Sequence, residues 1–157
     1  MVILGVDPGY ERLGLAVIQK EGGKEKVIFS ECFKTSAKLP FPKRIAKIGI
    51  EIRRTIKKYS PKILSIETLF LATNQKTAMR VAEVRGVVIY EAENAGLEVF
   101  EATPLQVKVA TTGYGKADKN QVMKMVKMLV SIDENKKSDD ELDAIAIALT
   151  ASAYLRG

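Results

Sequence analysis

Val2-Ile3-Leu4-Gly5-Val6-Asp7-Pro8-Gly9 is an apolar run that ends in a carboxylate and a turn pair. A short apolar run bounded by Pro-Gly predicts a buried strand over residues 2–7. A carboxylate at the end of such a strand is costly unless something cationic meets it. The pattern recurs at Ile63-Leu64-Ser65-Ile66, which ends in Glu67, while Asp140 and Asp143 begin the helical stretch Asp143-Ala144-Ile145-Ala146-Ile147-Ala148-Leu149. Two acidic strand ends and an acidic helix start imply one site where carboxylates converge on divalent metal. The chain has no histidine and one cysteine, Cys32, so oxygen-liganded Mg2+ or Mn2+ fits better than zinc. A metal-dependent nuclease is the expected activity.

Outward from these runs, residues 13–19 and 26–33 read as two further strands, with Gly22-Gly23 closing a hairpin between them. Leu39-Pro40-Phe41-Pro42 precedes a helix in which Ile45, Ile48, Ile52 and Ile56 share one face, and Lys58-Tyr59-Ser60-Pro61 ends it. Residues 62–67 resume as a strand. A long helix is expected over 75–95, closed at Gly96. A fifth strand covers 97–102, and Pro104 opens a short helix through Ala110. Thr111-Thr112-Gly113-Tyr114-Gly115 is expected to be a loop. Asp118 caps a helix carrying Val122, Met125, Val126 and Leu129, and the last helix spans 139–154. Three strands followed by alternating helix and strand predict an α/β fold, a five-stranded mixed sheet flanked by helices on both faces.

The 157 residues suit one domain, 1–157, with a substantial core. Twenty-five basic against nineteen acidic residues leave a net charge of +6, which favours a polyanionic partner, nucleic acid first. A single cysteine precludes an intrachain disulfide and points to the reducing cytoplasm. The amino terminus has no basic region before its short apolar run, and no stretch is long enough for a membrane span, so no membrane association is expected. Without histidine, acid–base work falls to carboxylates, lysines or metal-bound water.

Two-metal phosphodiester cleavage uses one ion to activate water and another to stabilise the leaving oxygen, with the ions roughly 3.5–4 Å apart. Asp140 and Asp143 are three apart and share a helix face near the positive end of its dipole. Each acid also has a plain structural reading: Asp7-Pro8-Gly9 as a turn, Glu67 as a surface acid at a strand end, Asp140 and Asp143 as ordinary N-terminal helix acids. Their joint placement on an apolar framework favours the metal site.

The chain closely resembles the RuvC family of Holliday-junction resolvases within the RNase H-like nuclease superfamily, nearly end to end. The resemblance rests on Ile-Leu-Gly-Val-Asp-Pro-Gly at 3–9, Ile-Glu-Thr-Leu-Phe at 66–70, Val-Arg-Gly-Val-Val at 84–88, Gln-Val-Lys at 106–108, the Gly-x-Gly-x3-Lys-x-x-Val stretch from Gly113 to Val122, and Asp-Glu-Leu-Asp-Ala-Ile-Ala-Ile-Ala at 140–148. It implies an RNase H-like fold, Asp7, Glu67, Asp140 and Asp143 as catalytic ligands of two Mg2+ ions (Mn2+ substituting), and a homodimer that nicks opposing strands of a four-way junction in recombination and repair. A branch-migration helicase complex is the further partner it suggests. Within the acidic run Asp139-Asp140-Glu141, only the spacing to Asp143 selects Asp140. Some family members carry histidine there.

Residues 104–130 hold Lys108, Lys116, Lys119, Lys124 and Lys127 against Asp118 alone. Lysines on phosphates confer salt-sensitive affinity. By resemblance Lys108 and Lys119 contact DNA near the metal, whereas Lys124 and Lys127 suit a solvated helix face. The basic residues of 43–58, including Arg44, suit such a face as well. Phe70 is the expected base-stacking residue at the crossover, with a core position as its plain alternative; Tyr114 is a second stacking candidate and Lys116 lies beside it. The wide apolar coverage of the 75–95 helix fits either a subunit interface or deep burial. Two rival functions remain. Gly5-Val6-Asp7-Pro8-Gly9 also resembles the opening of actin-like ATPases and sugar kinases, which need a second domain. An RNase H-like nuclease or junction-binding relative acting on another structured nucleic acid would keep the same acids.

Overall fold

The structure, a computed structural model, describes residues 1–69, 74–131 and 137–155. Its chain order is β1 (Val2–Asp7), β2 (Arg12–Glu21), β3 (Lys24–Lys34), α1 (Phe41–Tyr59), β4 (Ile63–Glu67), α2 (Gln75–Asn94), β5 (Glu98–Ala102), α3 (Pro104–Thr112), α4 (Lys119–Leu129) and α5 (Asp139–Tyr154). The five strands form one sheet in the order β3-β2-β1-β4-β5. β1 runs antiparallel to β2 and parallel to β4, so the sheet is mixed, as the element order predicts. Gly22 and Gly23 both take positive φ, the twist that a two-residue hairpin between β2 and β3 demands.

The two faces of β1 divide the core. Leu4 and Val6 face α1 and α2, where Ile48, Ile52, Val84 and Val88 cover them. Ile3, with Ile18 and Ile63 from neighbouring strands, faces the other layer, built from α3, α4 and α5. Fully burying side chains of this size is worth roughly 1.5–3 kcal/mol each. α5 is apolar nearly all round and is enclosed from Ala144 to Ser152, lying between the sheet and the two shorter helices. Among the described residues no helix is long and apolar enough to cross a membrane.

The contact between α5 and the sheet depends on two glycines. A Cβ on Gly5 would lie 2.2 Å from the Ala144 carbonyl oxygen and 2.7 Å from the Ala148 methyl. A Cβ on Gly14 would lie 2.2 Å from the Asp140 carbonyl oxygen. The strands therefore receive the helix backbone directly. Ser65 Oγ donates to the Ile147 carbonyl at 2.7 Å, and Ser30 Oγ donates to Glu141 at 2.7 Å, which fixes the helix along its length and at its start.

Two local expectations change. The loop expected from Thr111 begins later: α3 continues through Thr112, whose hydroxyl, like that of Thr111, donates to carbonyls one turn back, and Gly113 ends it with positive φ. Arg44 is buried and not on a solvated face. Its Nε donates to Thr35 Oγ1 at 2.8 Å and its guanidinium lies 5.2 Å from the Tyr10 ring centroid, which anchors the loop after Asp7 to α1.

Gly14→Ala should lower stability by about 1–3 kcal/mol, the usual cost of overpacking. Lys124→Ala, on the exposed face of α4, should change it by no more than about 0.5 kcal/mol. Thermal melts of the two variants check this; equal losses would mean that the glycine contact with α5 is not tight.

Candidate metal centre

Strand alternation places the acids. Ile3, Gly5 and Asp7 of β1 lie on one face, and Ile63, Ser65 and Glu67 of β4 lie beside them, because Ile3 pairs with Ile63 and Gly5 with Ser65 in parallel register. Asp7 and Glu67 thus end adjacent strands on the α5 side. Across the sheet, Asp7 pairs with Gly14 and Gly14 with Cys32, giving a row in which the middle side chain is missing. The first turn of α5 fills that gap. Ser138 caps the helix in a reciprocal capping box with Glu141, which sets its start. Asp140 then faces the row, with its Oδ2 3.5 Å from Cys32 Sγ, while Asp139 is exposed. Asp143 follows one turn on.

The four carboxylates feel one another. Burial first, and then Asp143, Glu67 and Asp140, push the Asp7 carboxyl from 3.8 up to about 7. Burial and then Asp143 raise Glu67. Burial raises Asp143 as well, against the lowering effect of Lys119. Cations from the protein answer part of this charge. Arg12 Nη2 stands 2.6 Å from Asp140 Oδ2, and Lys119 Nζ stands 3.2 Å from Asp143 Oδ2. Among the described residues no three Asp, Glu or Cys side chains stand together at ligating distance. Asp140 and Asp143 are drawn instead to Arg12 and Lys119, while Asp7 and Glu67 make no ion pair among the described residues.

A hard divalent cation fits this donor set. The donors offered are carboxylate oxygens, no imidazole is available, and a half-buried acid raised to about 7 by desolvation and then by neighbouring acids is one whose ionised form favours an added counter-charge. Of the other expected contacts, Lys119 lies inside the acidic site, Lys108 is half-buried on α3, and Lys116 and Tyr114 are exposed on the loop between α3 and α4. Phe70 lies outside the described residues. Arg12 and Cys32 were not expected. Register alone could have placed Cys32 in the Asp7 row, whereas nothing in the sequence marks Arg12, an exposed residue at a strand start.

Known proteins share this fold and sequence over most of the chain. The family model described as crossover junction endodeoxyribonuclease RuvC matches residues 3–151. The chain belongs to the RuvC family. The crossover junction endodeoxyribonuclease RuvC of Thermosipho melanesiensis is 45% identical, with 94% of each chain covered. That of Alkaliphilus metalliredigens is 44% identical over 95% of this chain and 91% of the relative. Thermus thermophilus RuvC in complex with a Holliday junction substrate superposes with a TM-score of 0.92 at 33% identity, covering 98% of this chain and 94% of that one. A yeast mitochondrial Holliday junction resolvase shares the fold alone, at 16% identity and a TM-score of 0.68. The fold is therefore the RNase H-like one, and the chain is a nuclease of a divalent-metal-dependent family.

The raised Asp7 carboxyl has a measurable sign. The folded protein holds this proton more tightly than the unfolded chain, so metal-free stability falls as pH rises from 3.8 to about 7 and stays low above that. Metal-free Asp7→Asn should melt above wild type at pH 8, and the difference should shrink as pH falls through about 7 and vanish only below the unfolded value of 3.8, where both states hold the proton. Parallel melting curves across that range would contradict the assignment.

Proposed function

We propose that this protein resolves four-way DNA junctions by paired, symmetric nicks, with Asp7, Glu67, Asp140 and Asp143 holding two Mg2+ ions that Mn2+ can replace. The observation that carries the reading is the half-buried Asp7 carboxylate, crowded by three other acids at the junction of two strand ends and a helix start. Divalent cations bound there would supply the positive charge that activates water and stabilises the leaving oxygen of a phosphodiester. The protein's own part is to hold the acids on rigid elements, so that little reorganisation accompanies reaction. Lys119 keeps a mobile positive charge at Asp143, where a phosphate could exchange for the carboxylate. Lys108, Lys116 and Tyr114 extend the contact surface along α3 and the following loop, and Phe70 is assigned to base stacking at the crossover. Strongly basic character on this side suits a phosphate backbone.

Paired nicking calls for two copies of the site. The face of α2 turned from the core presents Met79, Ala82, Gly86 and Tyr90 at intervals of three and four residues, and the space beside Gly86 is open. Such a face lets a second helix approach closely, which supports a homodimer through α2. The chain acts in this reading as a single domain, 1–157, in the cytoplasm. The family resemblance alone supports a branch-migration helicase complex as partner.

The test is a synthetic four-way junction incubated with protein and Mg2+, with nicks mapped on all four strands. Wild type should nick two opposing strands at related positions. Asp7→Asn and Glu67→Gln should abolish nicking, while junction binding survives on the lysines. Asp140→Asn should slow nicking far more than Asp139→Asn. Nicks without pairing, or near wild-type cleavage by Asp7→Asn in saturating Mg2+, would overturn the reading.

A further inference from the structure

The Val84-Arg85-Gly86 run contains a residue that the four acids leave unexplained. Val84 is buried against the sheet, and Arg85 beside it on α2 has a side chain only 14% exposed. Its Nε donates to the main-chain carbonyl of Glu67 at 2.9 Å, and its Nη2 pairs with the Glu101 carboxylate on β5. The register between β1 and β4 ends at Val6 and Ile66, one residue short of Glu67. On the other side, the Thr68 amide donates to the Ala102 carbonyl at 2.8 Å. The Arg85 guanidinium therefore takes hold of the strand where the ladder with β1 has run out. A buried carbonyl at such a point needs a partner, and the partner chosen fixes the direction in which the chain leaves the sheet.

The choice of atom matters. Arg12 and Lys119 pair with the carboxylates of Asp140 and Asp143, whereas Arg85 pairs with the main chain of Glu67. Arg85 nevertheless lines the same small cavity, about 220 Å3, as the Asp7 and Glu67 side chains. A guanidinium free to turn there would pair with Glu67 and oppose any cation. Glu101 takes its second nitrogen and offsets its charge, which leaves the Glu67 carboxylate available.

We propose that Arg85, held by Glu101, is a positioning residue that fixes Glu67 at the end of β4 so that its carboxylate faces Asp7 and accepts a divalent cation. This rests on Glu67 being a metal ligand. Through Arg85 the orientation of α2 and the placing of that ligand become one constraint.

The experiment is a titration of Mn2+ into DNA-free protein, for wild type, Arg85→Lys, Glu67→Gln and the double variant, with melting temperatures and the Mg2+ dependence of nicking measured alongside. Lysine keeps the charge and loses the fork. Arg85→Lys should weaken Mn2+ binding about tenfold, the low end of the range seen for groups that orient metal ligands. It should raise the Mg2+ needed for half-maximal nicking more than it lowers the rate at saturation. The double variant should bind Mn2+ no more weakly than Glu67→Gln alone, because Arg85 acts through Glu67. Losses that add would overturn the proposal, as would wild-type Mn2+ affinity in Arg85→Lys beside a defective Glu67→Gln. If Glu67→Gln itself binds Mn2+ as wild type does, the metal-site reading falls and this proposal with it. Glu101→Gln covers the case in which Arg85→Lys does not fold: freed from its partner, Arg85 should compete for Glu67 and weaken Mn2+ binding, and unchanged affinity there would also overturn the role.

Discussion

The backbone of α5 rests directly on two glycines of the sheet, and the site depends on that contact. Had Gly5 or Gly14 carried a side chain, the helix would stand farther out, and Asp140 would no longer reach the row formed by Asp7 and Cys32. The alanines of α5 serve the same purpose from the other side, since Ala144 and Ala148 meet β1 where a larger residue would not fit. Close-packed interiors transmit such spacing with little give. The geometry of the acids is thus set by the smallest residues near them.

That closeness has an electrostatic consequence. Asp7 is half-buried beside other carboxylates and holds its proton to about pH 7, because its ionised form is unfavourable there unless a cation arrives. Among the described residues Arg12 answers the charge of Asp140 and Lys119 that of Asp143. Both cations are exposed enough to move, and exposed ion pairs hold weakly. Asp7 and Glu67, the pair on the rigid sheet, have no ion-pair partner among the described residues. In the proposed site the strand-borne carboxylates would meet metal directly, while the helix-borne ones would first part from their side-chain partners.

Much of this was legible in the sequence because the strongest local signals agree with the fold. Apolar runs ending in Asp7 and Glu67 predicted strands 2–7 and 62–67, and the structure has them at Val2–Asp7 and Ile63–Glu67. The isoleucine stripe of α1, Pro104 in the first turn of α3 and the Asp118 cap of α4 follow local rules and lie where those rules put helices. What escaped depends on tertiary contact. Gly5 and Gly14 look like weak points within strands until a helix is seen against them. Arg44 belongs to a basic stretch of helix, and only the position of Tyr10 and Thr35 shows why one of its cations is buried. Arg12 and Arg85 carry no local signal, since their partners lie 128 residues ahead and 18 behind.

The central claim is that the folded protein assembles a crowded set of acids whose missing counter-charge is a divalent cation. Calorimetric titration of Mn2+ into DNA-free protein, repeated at several pH values in buffers of different ionisation enthalpy, tests it most directly, because proton release can be separated from binding heat. The account predicts that binding releases protons at pH 6 to 7, where Asp7 still holds part of its own, and that release fades by about pH 9 as affinity levels off. Binding without proton release across that range, or affinity independent of pH, would contradict it.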